Sequence, residues 1–269
     1  AYEITYGDWS SDVCSSDLEA GRSGALNTRV SPTEAPALEL HWPDGRESLV
    51  DDGTLANLPV ISDGDLDRAL TRLGEFEREL SVLVVRGEDG EQRVYPVVEN
   101  RHESGILRMT AVPAAVSAEV SVQASGLACR AVEALGGVGV FCVELFHLRG
   151  DRLLINEIAP RPHNSGHYTL DACTVSQFEQ QVRALCGMPL GEVRLMSPAA
   201  MVNLIGHDVG RVTSSNGCSD LLAIPGAKLH LYGKRMVRPG RKMGHMTFLA
   251  EPADEASDRA GQFLKSLAS

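Results

Sequence analysis

Two acids, Glu144 and Glu157, stand out within VGVFCVELFHLRGDRLLINEIAPRPHNSGHY, residues 138–168. Apolar runs flank Arg149-Gly-Asp-Arg152, and Gly150-Asp151 suits a two-residue hairpin turn. Pairing Arg149 with Arg152 sets Glu144 opposite Glu157 on one face, with Cβ atoms roughly 5 Å apart. Like charges placed so repel unless one takes a proton or a cation lies between them. With Asn156 adjacent, the donors are all oxygens, which favours magnesium over zinc. Magnesium held by one or two carboxylates usually completes its shell with nucleotide phosphates. The pattern points to phosphoryl transfer. The alternative is a solvated hairpin face whose acids point into water.

Directly after the second strand, Pro160, Pro162 and Gly166 restrict a loop from which Arg161, His163, Asn164, Ser165 and His167 project polar groups. Such a loop offers donors to an anion; alternatively, its Asn and Ser satisfy its own backbone. A second cationic cluster, Lys234, Arg235, Arg238, Arg241 and Lys242, surrounds Pro239-Gly240, a pair that suits backbone approach to a phosphate. Its alternative is a solvated surface turn. No lysine precedes Lys228.

The elements that must position these residues are partly legible. Leu66 to Leu73 has helical spacing. Leu80–Val85, the Gly87–Gly90 turn and Val94–Val98 read as a hairpin, with Pro96 marking an edge or irregularity. Val116 to Leu135 carries an apolar stripe and stops at Gly136-Gly137. Thr174 with Gln177 reads as a capping-box start of a helix through Phe178, Val182 and Leu185, closed by Gly187. Residues 198–250 read as short strands and turns, with a last helix after Pro252.

Composition sets the limits. The 269 residues, 43% of them hydrophobic, suffice for one large domain or two modest ones. A net charge of −11 argues against nucleic acid as a partner. No run approaches the length of a membrane span and no signal peptide opens the chain, so a cytoplasmic protein without a membrane partner is expected. The six cysteines show no CxxC pair and read as reduced core thiols. Residues 1–60 lack a sustained period and take no domain assignment, as an artefactual or disordered end would. The regular chain divides at 61–197 and 198–269.

The strings NEIAPRPHNSGHYTLDAC and SQFEQQVRALCGMPLG resemble the core signature of the 5-(carboxyamino)imidazole ribonucleotide synthetases, a family of ATP-grasp ligases. FERELSV, YPVVENRHESGIL, AMVNLIG and YGKRMVRPGRKMGH extend the likeness over roughly residues 62–268. The resemblance implies an α+β ATP-grasp fold, present in part, followed by a small carboxy-terminal β-rich domain. It implies an ATP-dependent ligase of purine biosynthesis joining bicarbonate to 5-aminoimidazole ribonucleotide through carboxyphosphate, with ATP and Mg2+ as cofactors and a homodimer by family precedent. Residue by residue, it places Glu79, His102, Asn156 and Glu157 at the nucleotide and Glu144 with Glu157 on magnesium. It sets Arg161, His163 and Asn164 near bicarbonate or carboxyphosphate, as the catalytic group, and Lys234 and Arg241 at the 5′-phosphate.

The family's amino-terminal nucleotide-fold domain, phosphate-binding lysines and glycine-rich flap have no counterpart here, and the segment before FERELSV is shortened. The expectation is therefore a family member with its amino-terminal third missing or replaced. Two other readings stand beside it: another ATP-grasp carboxylase or formate-using purine ligase, and a catalytically incomplete remnant that binds nucleotide or pairs with another subunit.

Overall fold

The computed structural model describes residues 38–41, 47–50 and 76–268. The helix expected over Leu66–Leu73 lies outside them. So does all of 1–60 except an antiparallel ribbon of β1 (Leu38–His41) on β2 (Glu47–Val50). The other described residues gather into two compact units, one of 76–100 with 112–196 and one of 101–111 with 197–268.

In the first unit the sheet order is β5-β3-β7-β8, from β3 (Phe76–Arg86), residues 98–100 of β5 (Val98–Glu103), β7 (Gly139–Leu148) and β8 (Arg152–Ala159). The short β4 (Gln92–Val94) also pairs with β3, at Val84↔Val94. Pro96 then interrupts the ladder, and β5 rejoins β3 at Ser81↔Val98. Strand alternation gives this sheet two unlike faces. Leu80, Val82 and Val84 of β3 and Phe141, Val143 and Leu145 of β7 pack under helix α1 (Ala118–Leu135). That helix contributes Val120, Ala124, Leu127 and Ala131, spaced as one helical face. Fully burying such an aliphatic side chain is worth about 1.5–3 kcal/mol. Ser117 caps α1 by accepting from Val120 N, and Gly136 ends it as expected.

The opposite face carries Ser81, Cys142 and Glu144. Helix α3 (Gln177–Leu185) packs on this sheet, against β3 and β7, after the short α2 (Thr169–Ala172). Its cap is Ser176, which accepts from Glu179 N, and not the expected Thr174. The Thr174 hydroxyl instead donates to Glu192 O and accepts from Arg194 N, tying down the chain that follows the helix. The cysteines also differ from expectation: of the five described, Cys142 and Cys173 are buried, Cys129 and Cys218 are half-buried, and Cys186 is exposed.

The β7–β8 hairpin departs from the expected geometry in a compensated way. Leu148 pairs with Arg152, so the turn is the three residues Arg149, Gly150 and Asp151, with Gly150 and Asp151 both at positive φ. That register alone would set Asn156 opposite Glu144. A β-bulge between Leu145↔Ile155 and Glu144↔Glu157 absorbs the extra residue and restores the expected pairing of the two glutamates.

The second unit holds β6 (Ile106–Val112), β9 (Ala199–Ile205), β10 (Ala227–Leu231) and β11 (Lys242–Leu249) in the order β10-β11-β9-β6. Two short helices, α4 (Asp208–Val212) and α5 (Ser215–Leu222), follow β9. The last helix, α6 (Ala253–Ala268), lays Ala256, Ala260, Phe263 and Leu267 on Val202, Met246 and Phe248. Among the described residues no helix is long and apolar enough to cross a membrane.

Candidate active site

Ladder registers place Ser81, Glu144 and Glu157 in one row across β3, β7 and β8. Glu79 stands one step along that face of β3, half-buried and paired with Phe146 and Asn100. Glu144 is half-buried, whereas Asn156 and Glu157 are exposed. The chemistry of this donor set, two carboxylates opposed across adjacent strands, fits a hard divalent cation.

The loop after β8 closes over the same face because its backbone is clamped from below. The Gln177 side chain, fully buried, accepts from His163 N at 2.8 Å through Oε1 and donates to His163 O at 2.7 Å through Nε2. Nε2 also lies 3.1 Å from His167 Nδ1. Thr169 Oγ1 donates to Gly166 O and accepts from Gln177 N, which fixes the loop's far end. Gly166 is required by close approach, since a Cβ there would lie 2.6 Å from Gln177 Oε1 and collide with Leu83.

This clamp brings His163 Nε2 to 3.5 Å from Glu144 Oε1 and its Nδ1 to 2.9 Å from Ser165 Oγ. Ser165 Oγ in turn receives the Ser81 hydroxyl at 2.9 Å, and Ser81 Oγ receives Asn100 Nδ2 at 2.9 Å. Burial, then the Glu144 charge, push the Cys142 thiol up; hydrogen bonds with Ser165 and Ser81 and the Arg161 charge pull it the other way. One of the Arg161 nitrogens donates to Pro162 O. Asn164 Nδ2 is buried without a hydrogen-bond partner.

Glu79, Glu144, Asn156, Glu157, Arg161, His163 and Asn164 therefore share the first unit. His102, Lys234 and Arg241 belong to the second. His102 is a half-buried residue of β5, two positions beyond Asn100. Lys234 and Arg241 lie in the β10–β11 loop. Lys234 Nζ sits 5.9 Å from the centre of the Tyr232 ring, and Arg241 donates to Met236 O. Gly206 N donates to Arg241 O at 2.7 Å, holding the loop's end to the end of β9. Lys242 of the same cationic cluster is a buried strand residue, 5% exposed, and is not part of a solvated patch.

Sequence reasoning missed Ser81, Asn100 and Gln177. The signal for Ser81 was present, a lone hydroxyl inside LSVLVV on the strand beside Glu144. Gln177 gave none beyond its place near a helix start.

Residues 69–178 match the ATP-grasp domain, so the sheet with its carboxylate hairpin belongs to an ATP-grasp protein. Residues 199–259 match the phosphoribosylaminoimidazole carboxylase C-terminal domain. The chain is 48% identical over 180 residues to the N5-carboxyaminoimidazole ribonucleotide synthase of Bacillus subtilis, covering 67% of this chain and 46% of that protein. The N5-carboxyaminoimidazole ribonucleotide synthetase structure from Thermus thermophilus superimposes with a TM-score of 0.64 at 37% identity, covering 91% of this chain and 68% of that one. The Aspergillus clavatus synthase in complex with ADP and 5-aminoimidazole ribonucleotide gives 0.67 at 35% identity, covering 77% and 59%. The chain belongs to the N5-carboxyaminoimidazole ribonucleotide synthetase family. It spans about half the length of the Bacillus and Synechococcus relatives it matches.

Proposed function

We propose that this chain serves an ATP-dependent carbon–nitrogen ligase of purine biosynthesis, which joins bicarbonate to the amine of 5-aminoimidazole ribonucleotide by way of carboxyphosphate. A cytoplasmic setting goes with that reading. The observation that carries it is the Glu144–Glu157 opposition beneath a clamped loop bearing Arg161, His163 and Asn164.

Glu144 and Glu157 would hold Mg2+, which when bound neutralises charge on nucleotide phosphates. Glu79, His102 and Asn156 bind the nucleotide with Glu157. Arg161 presents a planar guanidinium that can grip a carboxylate or phosphate in bidentate fashion. Asn164 Nδ2, buried without a hydrogen-bond partner, supplies a donor to the same anion. His163 orients the anion from beside Glu144. Enclosure by the Gln177 clamp keeps these groups in place before the ligand arrives, so little reorganisation accompanies charge transfer. Lys234 and Arg241 take the ribonucleotide's 5′-phosphate.

The experiment is product analysis with ATP, Mg2+, labelled bicarbonate and 5-aminoimidazole ribonucleotide. Formation of ADP, phosphate and an acid-labile labelled carboxyamino nucleotide supports the reading. Equal ADP release with formate or another amine in place of these substrates overturns the substrate assignment.

A second reading, a nucleotide-binding protein without turnover, is a further outcome of the same experiment. Nucleotide binding by calorimetry without any ADP formation would decide for it.

A further inference from the structure

The polar chain behind His163 has a direction. Asn100 Nδ2 donates to Ser81 Oγ, Ser81 Oγ donates to Ser165 Oγ, and Ser165 Oγ lies 2.9 Å from His163 Nδ1. Each hydroxyl carries one hydrogen. Ser81 directs its hydrogen to Ser165. Cys142 Sγ also lies 3.7 Å from Ser165 Oγ, and as a buried thiol that keeps its proton it stands there as a donor, so Ser165 keeps its own hydrogen for the imidazole. A second donor reaches the same ring nitrogen: the backbone N–H of Ser165, at 3.4 Å, with His163 acting as N-cap of the 3-10 turn Asn164–Gly166. A backbone N–H cannot accept, so this long contact adds to the preference for a lone pair on Nδ1 without fixing it alone. Asn100, Ser81 and Ser165 are 6%, 1% and 0% exposed, which keeps solvent from reordering the chain.

We infer that Asn100, Ser81 and Ser165 form a one-way hydrogen-bond chain that holds His163 as its Nε2–H tautomer and so aims that N–H at the Glu144 carboxylate. The three are positioning residues: Gln177 sets where the imidazole lies, and the chain sets which nitrogen bears the proton. His163 then faces the site as a donor whose partner can change from Glu144 to an oxygen of a bound anion. That use of the proton rests on the proposed carboxylation, whereas the tautomer is a property of the ligand-free protein. A failed carboxylation assay and a failed tautomer assignment are therefore separate results.

The test is long-range proton–nitrogen NMR on the whole chain labelled with 15N-histidine, at a pH where the imidazole is neutral. His163 is assigned by the signals lost in His163→Asn. In the wild type Nδ1 should resonate at the lone-pair extreme and Nε2 at the N–H extreme. Asn100→Asp replaces the donor at the head of the chain with an acceptor of similar shape, and should move the pair toward Nδ1–H. Ser165→Ala and Ser81→Ala break the chain and should draw the two nitrogen shifts together, while Ser81→Thr, which keeps the hydroxyl, should return the wild-type pair. His147, on β7 outside the chain, serves as the unmoved control. Should Asn100→Asp fail to fold, the serine variants carry the test. Protonated Nδ1 in the wild type, or wild-type shifts in both Ser81→Ala and Ser165→Ala, overturns the inference.

Discussion

Ile155 and Ile158 stand three residues apart on β8, yet both pack into the layer beneath α1. A regular strand alternates faces at every residue, so this is possible only because Asn156 and Glu157 together oppose Glu144. The bulge carries Glu157 to the side of the sheet that bears Glu144.

Removing Asn156 should therefore regularise the strand without turning any other side chain over. Stability should stay within about 1 kcal/mol of wild type, since no buried apolar group changes face. Deleting Leu154 instead reverses Ile155 and should cost about 2–5 kcal/mol, the range for losing a large buried aliphatic. Urea denaturation of the two deletion variants measures this, and equal losses would count against the bulge as the device that orients Glu157.

The opposition of Glu144 and Glu157 was readable from residue types, but its route was not. A two-residue turn at Gly150-Asp151 gives the right pair by simple counting, while the protein reaches it through a three-residue turn and a compensating bulge. The spacing Ile155-Asn-Glu-Ile158 was the available sign of that extra residue, because apolar alternation slips there by one. α1 was legible because its stripe and glycine stop are local signals. The cap of α3 was displaced because Ser176 and Thr174 are both competent caps, and the demand of Glu192 and Arg194 on the Thr174 hydroxyl is a contact far along the chain. The Gln177 clamp and the serine chain depend on tertiary packing, which no short-range pattern encodes.

Alkaline pH should expose the buried thiols and phenols. Burial raises Cys173 from 9.0 to about 12, and raises Cys142, Tyr95 and Tyr168 as well. For a group whose folded value is raised, the stabilisation is complete below its unfolded value and is lost as pH climbs through the folded one. For Cys173 that window runs from about pH 9 to about pH 12. The stability gap between wild type and Cys173→Ala should therefore shrink steadily over this window. Chemical denaturation at stepped pH reads the gap, and a constant difference would show that the thiol does not contribute.

Arg241 should matter for the ribonucleotide and not for ATP. Charge-assisted contacts are worth on the order of 1.5–3 kcal/mol, so Arg241→Ala should weaken 5-aminoimidazole ribonucleotide binding by about 10- to 150-fold. One nitrogen of its guanidinium donates to Met236 O, which steadies the side chain in the loop. Titration calorimetry with each ligand separates the effects. Unchanged ribonucleotide affinity would remove Arg241 from the phosphate site.

Glu157→Gln should have a two-sided effect. Glu144 and Glu157 face each other directly, and opposed like charges cost roughly 0.2–1 kcal/mol. A neutral amide relieves that repulsion while keeping the side chain's shape, so the ligand-free variant should be as stable as wild type or slightly more so. The gain is limited, because Glu157 is exposed and water screens its charge. With Mg2+ and a non-hydrolysable nucleotide the order should invert. A ligand that prefers the folded state stabilises it by about 2.7 kcal/mol at a hundredfold excess over its Kd, and wild type should show such a shift. The variant, with one carboxylate left for the cation, should gain much less under the same conditions. A solvated hairpin face without a metal role makes a different forecast: no metal-linked shift in either protein and only a small surface effect of the substitution. Four melting curves, wild type and Glu157→Gln with and without Mg2+ and nucleotide, separate the cases, and equal ligand-induced shifts would take Glu157 out of the metal site.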